Sequence, residues 1–244
     1  MLTPPPREVS RSELMDQPDA PPAELSRSLG DIARLNRIGG RRTVLRHLAP
    51  FLARVRAGET LRILDVGTGA ADIPLALARW ARRRGHRVRI VALEVHPTIL
   101  RYAARAVDRT PEVDVVAGNA LEAPIRPASV DVALCSLVLH HLPEEAVVAL
   151  LRRLAELVRL GFIVSDFRRG RLAWAAVWLA THAFARSPMA RHDGPLSVRR
   201  AYTPDELARL ARRAGLPDIR WHRAPAFRQV GVWTRPAPGT ARAG

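Results

Sequence analysis

The chain has 244 residues, 48% of them hydrophobic, enough to bury the core of one large α/β domain with small appendages. Its formal net charge is +16, and all 39 basic residues are Arg, scattered along the chain rather than gathered in one block. That scatter describes a solvated shell and argues against a nucleic-acid partner, although any basic surface attracts phosphates. The single cysteine, Cys135, excludes an internal disulfide and a thiolate metal cage and suits a reducing cytoplasm. No uncharged apolar run reaches the ~20 residues that span a bilayer, so no membrane span is expected.

In chain order, residues 1–23 combine proline with charge and lack the basic-then-apolar layout of a secretory signal; they are expected as a disordered leader. Residues 24–57 carry Leu25, Leu29, Ile32, Leu35 and then Val44, Leu45, Leu48, Leu52 at helical spacing, with "IGG" (38–40) punctuating two helices. From residue 58 the pattern alternates. Strands are predicted at Leu61–Val66, Arg87–Glu94, Val113–Ala117, Val130–Ser136 and Phe162–Phe167, and helices at Asp72–Arg84, Pro97–Arg109 and Glu144–Arg159. Arg171–Ala201 interrupts this rhythm with a Trp-containing helix and a turn-rich "RSPMARHDGPLS". A helix over Thr203–Ala214 follows, with Thr203 as N-cap, Pro204 at its first position and Glu206 closing a capping box. Ile219–His222 and Phe227–Thr234 end the sheet as an antiparallel pair, and 237–244 reads as a flexible tail. The fold class is therefore α/β: a doubly wound, Rossmann-like, mostly parallel sheet with an antiparallel C-terminal strand. A helical N-terminal lid (24–57) precedes the domain (58–236), which carries the helical insertion 171–201 before its last helix.

"LDVGTGAAD" places Gly67 and Gly69 between a strand ending near Asp65 and a helix that begins at Asp72. Such a turn lets the backbone approach a ligand, because a Cβ would block the approach or forbid the dihedral. The third glycine of a dinucleotide fingerprint is missing: Asp72 stands there and would repel a pyrophosphate. Glu94 ends the second strand, where a carboxylate can accept both ribose hydroxyls. "AGNAL" (117–121) follows the third strand and can present Asn119 and a backbone amide to an adenine edge. Adenosine without phosphates, carrying a cationic centre that tolerates Asp65 and Asp72, describes S-adenosylmethionine.

At this point the sequence resembles the class I S-adenosylmethionine-dependent methyltransferases. The resemblance rests on "LDVGTGAAD", "VALEVHP", "VVAGNALEAPIRPASVDVALCSLVLHHL" and "RLGFIVSDFRR", in that order over about residues 60–170. The local likeness is to the ubiquinone/menaquinone-type, small-molecule branch. "SDFRRGRLAWAAVWL" and "RSPMARHDGPLSVRRAYTPDEL" look like methyltransferases of polyketide and quinone-like secondary metabolism. The resemblance implies that Gly67, Thr68 and Gly69 underlie the methionine part, with Asp65 and Asp72 near its amino group. It places Glu94 on the ribose, Val95 on the adenine, Asn119 and Ala120 beside the adenine edge, and Ser136 beside the cofactor. Asn119 stands where many relatives have Asp, and its side-chain oxygen can still accept the adenine amino group. Asn36 and Arg37 are candidates for the methionine carboxylate.

Methyl transfer is an in-line displacement that needs positioning, exclusion of water and, for a phenol or enol, a base. Candidate catalytic residues are His140 and His141 after the fourth strand, Asp166 at the end of the fifth, and His192 in the insertion. His140 is expected to face the pocket and His141 to be its hydrogen-bonded partner. Loop packing, an Asp166 ion pair with Arg168 or Arg169, and an Asp193–Gly194 turn are the structural alternatives. No metal is expected, because no carboxylate stands at helical spacing from the two histidines. Trp174, Trp178 and Phe184, on a helix apolar nearly all round, offer core, a homodimer surface or an acceptor lid. Together these features describe a methyltransferase that modifies oxygen or carbon of a small, largely apolar phenolic, quinol or polyketide-type acceptor. An RNA or protein methyltransferase, or a protein that binds S-adenosylmethionine without methylating, remain as alternatives.

Overall fold

The computed structural model describes residues 4–56 and 58–236. Among them, seven strands form one sheet: β1 (Thr60–Val66), β2 (Arg87–Glu94), β3 (Val113–Ala117), β4 (Val130–Ser136), β5 (Val158–Phe167), β6 (Arg220–Ala224) and β7 (Arg228–Thr234). Their order is β3-β2-β1-β4-β5-β7-β6, with β7 antiparallel to both neighbours and β1–β5 mutually parallel. The helices are α1 (Pro22–Asn36), α2 (Gly40–Leu52), α3 (Asp72–Arg82), α4 (Pro97–Val107), α5 (Glu144–Leu157), α6 (Arg171–Phe184), α7 (Pro188–Arg200) and α8 (Pro204–Arg213).

Strand periodicity explains the layering. Leu61 and Ile63 join one apolar cluster, Leu64 and Val66 the other, because successive side chains leave opposite faces of the sheet. Leu48 and Phe51 of α2 and Leu77 of α3 cover the first face, while Leu151 and Leu154 of α5 and Leu207 of α8 cover the second. The predicted capping box of α8 is present: Thr203 Oγ1 accepts from the Glu206 amide at 3.3 Å, and the Glu206 carboxylate accepts from the Thr203 amide at 2.8 Å. The strand order reverses between β1 and β4, which opens a crevice at their carboxyl ends. Residues of α1, α6 and α7 close over that crevice.

Three expectations need correction. First, residues 4–23 of the expected disordered leader are a strap laid across the domain. The Glu8 amide donates to the Arg199 carbonyl (3.1 Å), Arg7 donates to the carbonyls of Arg200 (2.6 Å) and Leu142 (2.9 Å), and Arg169 donates to Pro5 O (2.8 Å). Arg7 also stacks over the Tyr202 ring at 4.0 Å. Composition suggested disorder because every one of these partners lies more than a hundred residues away. Second, β5 begins at Val158, directly after α5, rather than at Phe162. A register shift against β4 at Val130/Val132 breaks the alternation that would have revealed the strand.

Third, "RSPMARHDGPLS" is mostly helix α7, not a set of turns. Ser187 caps it, Pro188 sits at its first position, and Gly194 is where a Cβ would come within 2.7 Å of Thr181 Cγ2 on α6. Gly194 thus serves helix–helix contact. Pro195 lies inside the helix and forgoes one helical hydrogen bond. The expected tail, 237–244, lies outside the described residues. No helix among the described residues is long and apolar enough to cross a membrane.

Candidate active site

A cavity of about 390 Å³ opens at the carboxyl ends of β1, β2 and β4. Asp65, Gly67, Thr68, Gly69 and Asp72 line it from the first strand–helix turn, and Glu94 and Val95 from the end of β2. Asn119, Ala120 and Ser136 complete the cofactor-side set expected from the sequence. The turn has the anticipated backbone: Gly67 and Gly69 have φ of +65° and +55°, and a Cβ on Gly67 would stand 2.5 Å from Val138 Cγ2. A Cβ on Gly69 would meet nothing within 4 Å.

Three buried carboxylates surround this turn. Glu94 Oε2 accepts from the Gly69 amide (3.0 Å), and Oε1 accepts from the amides of Val95 (2.9 Å) and His96 (3.0 Å). These bonds fix the side chain while leaving oxygen lone pairs toward the cavity. Asp72 accepts from Arg41 Nε (2.8 Å) and Asn36 Nδ2 (3.3 Å). Burial, together with the charges of Asp72 and Glu94, pushes the Asp65 carboxyl up to about 7. The site is thus built to receive positive charge. Val95 is 65% exposed at the cavity rim. Asn119 Oδ1 accepts from the Leu121 amide (3.1 Å), so its oxygen also shapes the turn.

Sequence reading missed Arg228. This β7 side chain is buried, lines the cavity and donates to Asn36 Oδ1, yet its Nη1 finds no partner among the described residues. Burial pulls its pKa down, opposed by Asp166 and Asp72. An arginine at the start of a C-terminal strand carries no local signal of such a role. Asn36 also lines the cavity, as proposed, whereas Arg37 does not; it belongs to a surface recess beside Arg42 and Arg46.

A second group of side chains at the cavity centres on His140. The chain leaves β4 at Ser136, turns sharply at Leu137 (φ +60°) and enters a 3-10 turn, Leu139–His141. His140 Nδ1 lies 2.7 Å from Asp166 Oδ1, and Asp166 Oδ2 accepts the His140 amide at 3.0 Å. On its other side, His140 Nε2 lies 3.5 Å from Glu13 Oε1, a carboxylate brought in by the N-terminal strap. Burial alone would lower the His140 pKa, but the charges and contacts of Asp166 and Glu13 raise it to about 10. With the strap in place, the two carboxylates therefore favour the protonated form of His140. It can stabilise a developing oxyanion and donate to it, while Glu13 is the carboxylate facing it.

Asp166 stands behind His140 rather than on the cavity wall and holds its ring and backbone amide. His141 does line the cavity, with its Nδ1 2.8 Å from Asp16 Oδ2. His192 does not reach the cavity: it faces Arg11 (3.0 Å) and Asp193 (2.8 Å) on the outer side of α7, because a helix, not a loop, carries it. Its neighbour Asp193 does line the cavity and accepts the amides of Leu14 (2.9 Å) and Met15 (3.0 Å), tying down the strap.

Residues 63–161 match the family model described as a methyltransferase domain. That stretch holds the glycine turn, most of β1 and all of β2, β3, β4 and α5, so the methyltransferase-like part of the chain is the part that builds the cavity floor. Over 159 residues it is 33% identical to a ubiquinone biosynthesis O-methyltransferase of Ralstonia nicotianae, covering 64% of this chain and 62% of that protein. It thus spans about three-fifths of the length of the curated relatives it matches. Among solved structures, a methyltransferase from Aquifex aeolicus superposes with a TM-score of 0.60 at 19% identity, covering 88% of this chain and 98% of that one. Human N-acetylserotonin methyltransferase gives 0.64 at 15% identity, covering 93% and 60%. These likenesses concern the fold.

Proposed function

We propose that the protein methylates a hydroxyl oxygen of a small, largely apolar acceptor of phenolic, quinol or polyketide type. The observation that carries this reading is one cavity that joins an acidic glycine turn to the Glu13–His140–His141 corner. The residues present fit S-adenosylmethionine. Asp65 and Asp72 would receive its amino group, Arg228 Nη1 its carboxylate and Glu94 its ribose, with Val95 covering the adenine and Asn119 and Ala120 at its edge. When bound, the cofactor supplies a sulfonium methyl: the S–C bond breaks as the acceptor oxygen forms the new C–O bond, the electron pair stays on sulfur, and one proton is released.

The chain's own part is positional and electrostatic. Leu137, Val138, Phe167 and Val177 give the acceptor end of the cavity an apolar lining that suits a flat ring better than a sugar. His140, oriented by Asp166, supplies a donor and positive charge where a phenol becomes a phenolate. The names of the curated relatives, ubiquinone biosynthesis O-methyltransferases, support oxygen as the methylated atom. The test is calorimetric titration with S-adenosylhomocysteine and, separately, NAD, followed by a screen of phenols and quinols for methyl transfer. Saturable binding of S-adenosylhomocysteine alone and turnover of a phenol are expected. Binding of NAD instead, or methylation only of RNA or protein, would overturn the proposal.

A further inference from the structure

The strap does more than close the cavity. It brings Glu13 to two histidines more than 120 residues away, so that one ligand atom from each of Glu13, His140 and His141 lies within 4.8 Å of the others. No carboxylate stands at helical spacing from these histidines, and the fold supplies one from the N-terminal strap instead.

We propose that Glu13, His140 and His141 form a binding site for a divalent transition ion of the Zn²⁺ type. Four observations carry it. His140 Nδ1 is engaged by Asp166 at 2.7 Å and His141 Nδ1 by Asp16 at 2.8 Å. A carboxylate on each Nδ1 holds that nitrogen as the donor, the usual outer partner of a metal-bound histidine, and leaves Nε2 to ligate, the ion displacing the Nε2 proton of His140 to solvent. His140 Nε2 and Glu13 Oε1 are 3.5 Å apart. Two ligands ~2.0–2.1 Å from a tetrahedral ion stand roughly 3.3 Å apart, so this edge needs almost no adjustment. Glu13 is itself oriented: Ser197 Oγ donates to its Oε1 at 2.9 Å. Finally, the corner lines the same cavity as the glycine turn, which leaves the fourth position open to a ligand.

Two imidazoles and one carboxylate favour a borderline ion over Mg²⁺, which takes oxygen donors. Three protein ligands with an open position is the pattern of a catalytic rather than a structural zinc site. Resting on the methyltransferase reading, the site deepens it: the ion would bind the acceptor oxygen, whose O–H bond breaks with the proton passing to solvent, leaving a metal-bound oxyanion poised for the methyl group. Because Glu13 belongs to the strap, binding would also fasten the strap shut.

The experiment uses the full chain, treated with chelator and then titrated with Co²⁺ as a spectroscopic probe and with Zn²⁺ by calorimetry. One equivalent of either ion is expected, with d–d bands of low-symmetry Co²⁺, and bound Zn²⁺ should slow tryptic cleavage after Arg7 and Arg11. Glu13→Gln and His141→Ala should each weaken binding at least tenfold. Asp16→Asn, a mild change at a partly exposed residue, should weaken it by roughly 10–100-fold through the histidine it orients. Metal affinity in the wild type no greater than in the Glu13→Gln/His141→Ala double variant, with S-adenosylhomocysteine still bound, would overturn the metal site and leave the methyltransferase reading intact. One equivalent of metal without any S-adenosylhomocysteine binding would do the reverse.

Discussion

Replacing Asp65 by Asn tests the electrostatics of the cofactor turn directly. Asp65 is buried beside Asp72 and Glu94, and without ligand its carboxyl rises from an ordinary 3.8 to about 7. A carboxyl raised in the folded state stabilises the fold fully below its unfolded pKa, and that contribution disappears as pH rises through the folded one. Three pK units at ~1.36 kcal/mol each make the ionised side chain destabilising by on the order of 4 kcal/mol at pH 8. At pH 5 the folded group is protonated and the cost falls to about 1.5 kcal/mol. The neutral, isosteric Asn removes this dependence, so the stability difference between variant and wild type should shrink by about 2.5 kcal/mol between pH 8 and pH 5. For a domain of this size that is roughly 5–10 °C in relative Tm. The assay is thermal unfolding of both proteins, without ligand, across that range; other titrating groups cancel in the difference. A gap that stays constant with pH would refute the buried-charge account. Because the cofactor's ammonium favours ionised Asp65, S-adenosylmethionine should also bind more tightly as pH rises from 6 to 8 in the wild type, and not in Asp65→Asn.

Arg228→Leu should weaken S-adenosylhomocysteine binding about 10–100-fold, as expected for loss of a charge-assisted bond. It should barely affect methylthioadenosine, which has no carboxylate; equal losses for both ligands in calorimetry would remove the assigned contact. Gly67→Ala combines a left-handed φ with a contact 2.5 Å from Val138 Cγ2, so a stability loss of about 2–3 kcal/mol in urea unfolding and loss of cofactor binding are expected. Unaltered unfolding would show that the turn relaxes freely. Glu94→Ala should abolish S-adenosylhomocysteine binding while circular dichroism stays that of the folded protein, and retained micromolar affinity would sink the ribose role. His140→Ala should lower kcat far more than it changes cofactor affinity, whereas an unchanged kcat with the true acceptor would take His140 out of the reaction.

The grouping of the glycine turn, Asp72 and Glu94 around one cavity was legible because its determinants are local. A strand, two glycines, an acidic helix start and a carboxylate at the end of the next strand are read within some thirty residues, and the parallel topology then brings them together. The His140 corner was legible only in part. "LVLHHL" follows β4 and "SDF" ends the adjacent β5, so His140 and Asp166 could be named as candidates, but their 2.7 Å pairing could not. His192 was misplaced because Asp-Gly-Pro spells a turn, while Ser187, Pro188 and the need for a small residue against Thr181 made the segment a helix.

By itself, the sequence determined the alternating α/β layout, the two N-terminal helices and the glycine turn between β1 and α3, since hydrophobic period and turn chemistry act over short spans. Only the tertiary structure decided that the N-terminal strap packs, that Arg228 is buried beside the cavity with an Nη1 unpartnered among the described residues, and that Glu13 faces His140. Each depends on groups more than 100 residues apart, whose burial energy comes from mutual contact and leaves no period or composition to read. A proline-rich charged segment looks soluble until its partners are in place, and here those partners are the backbone carbonyls, Asp193 and the two histidines of the closed site.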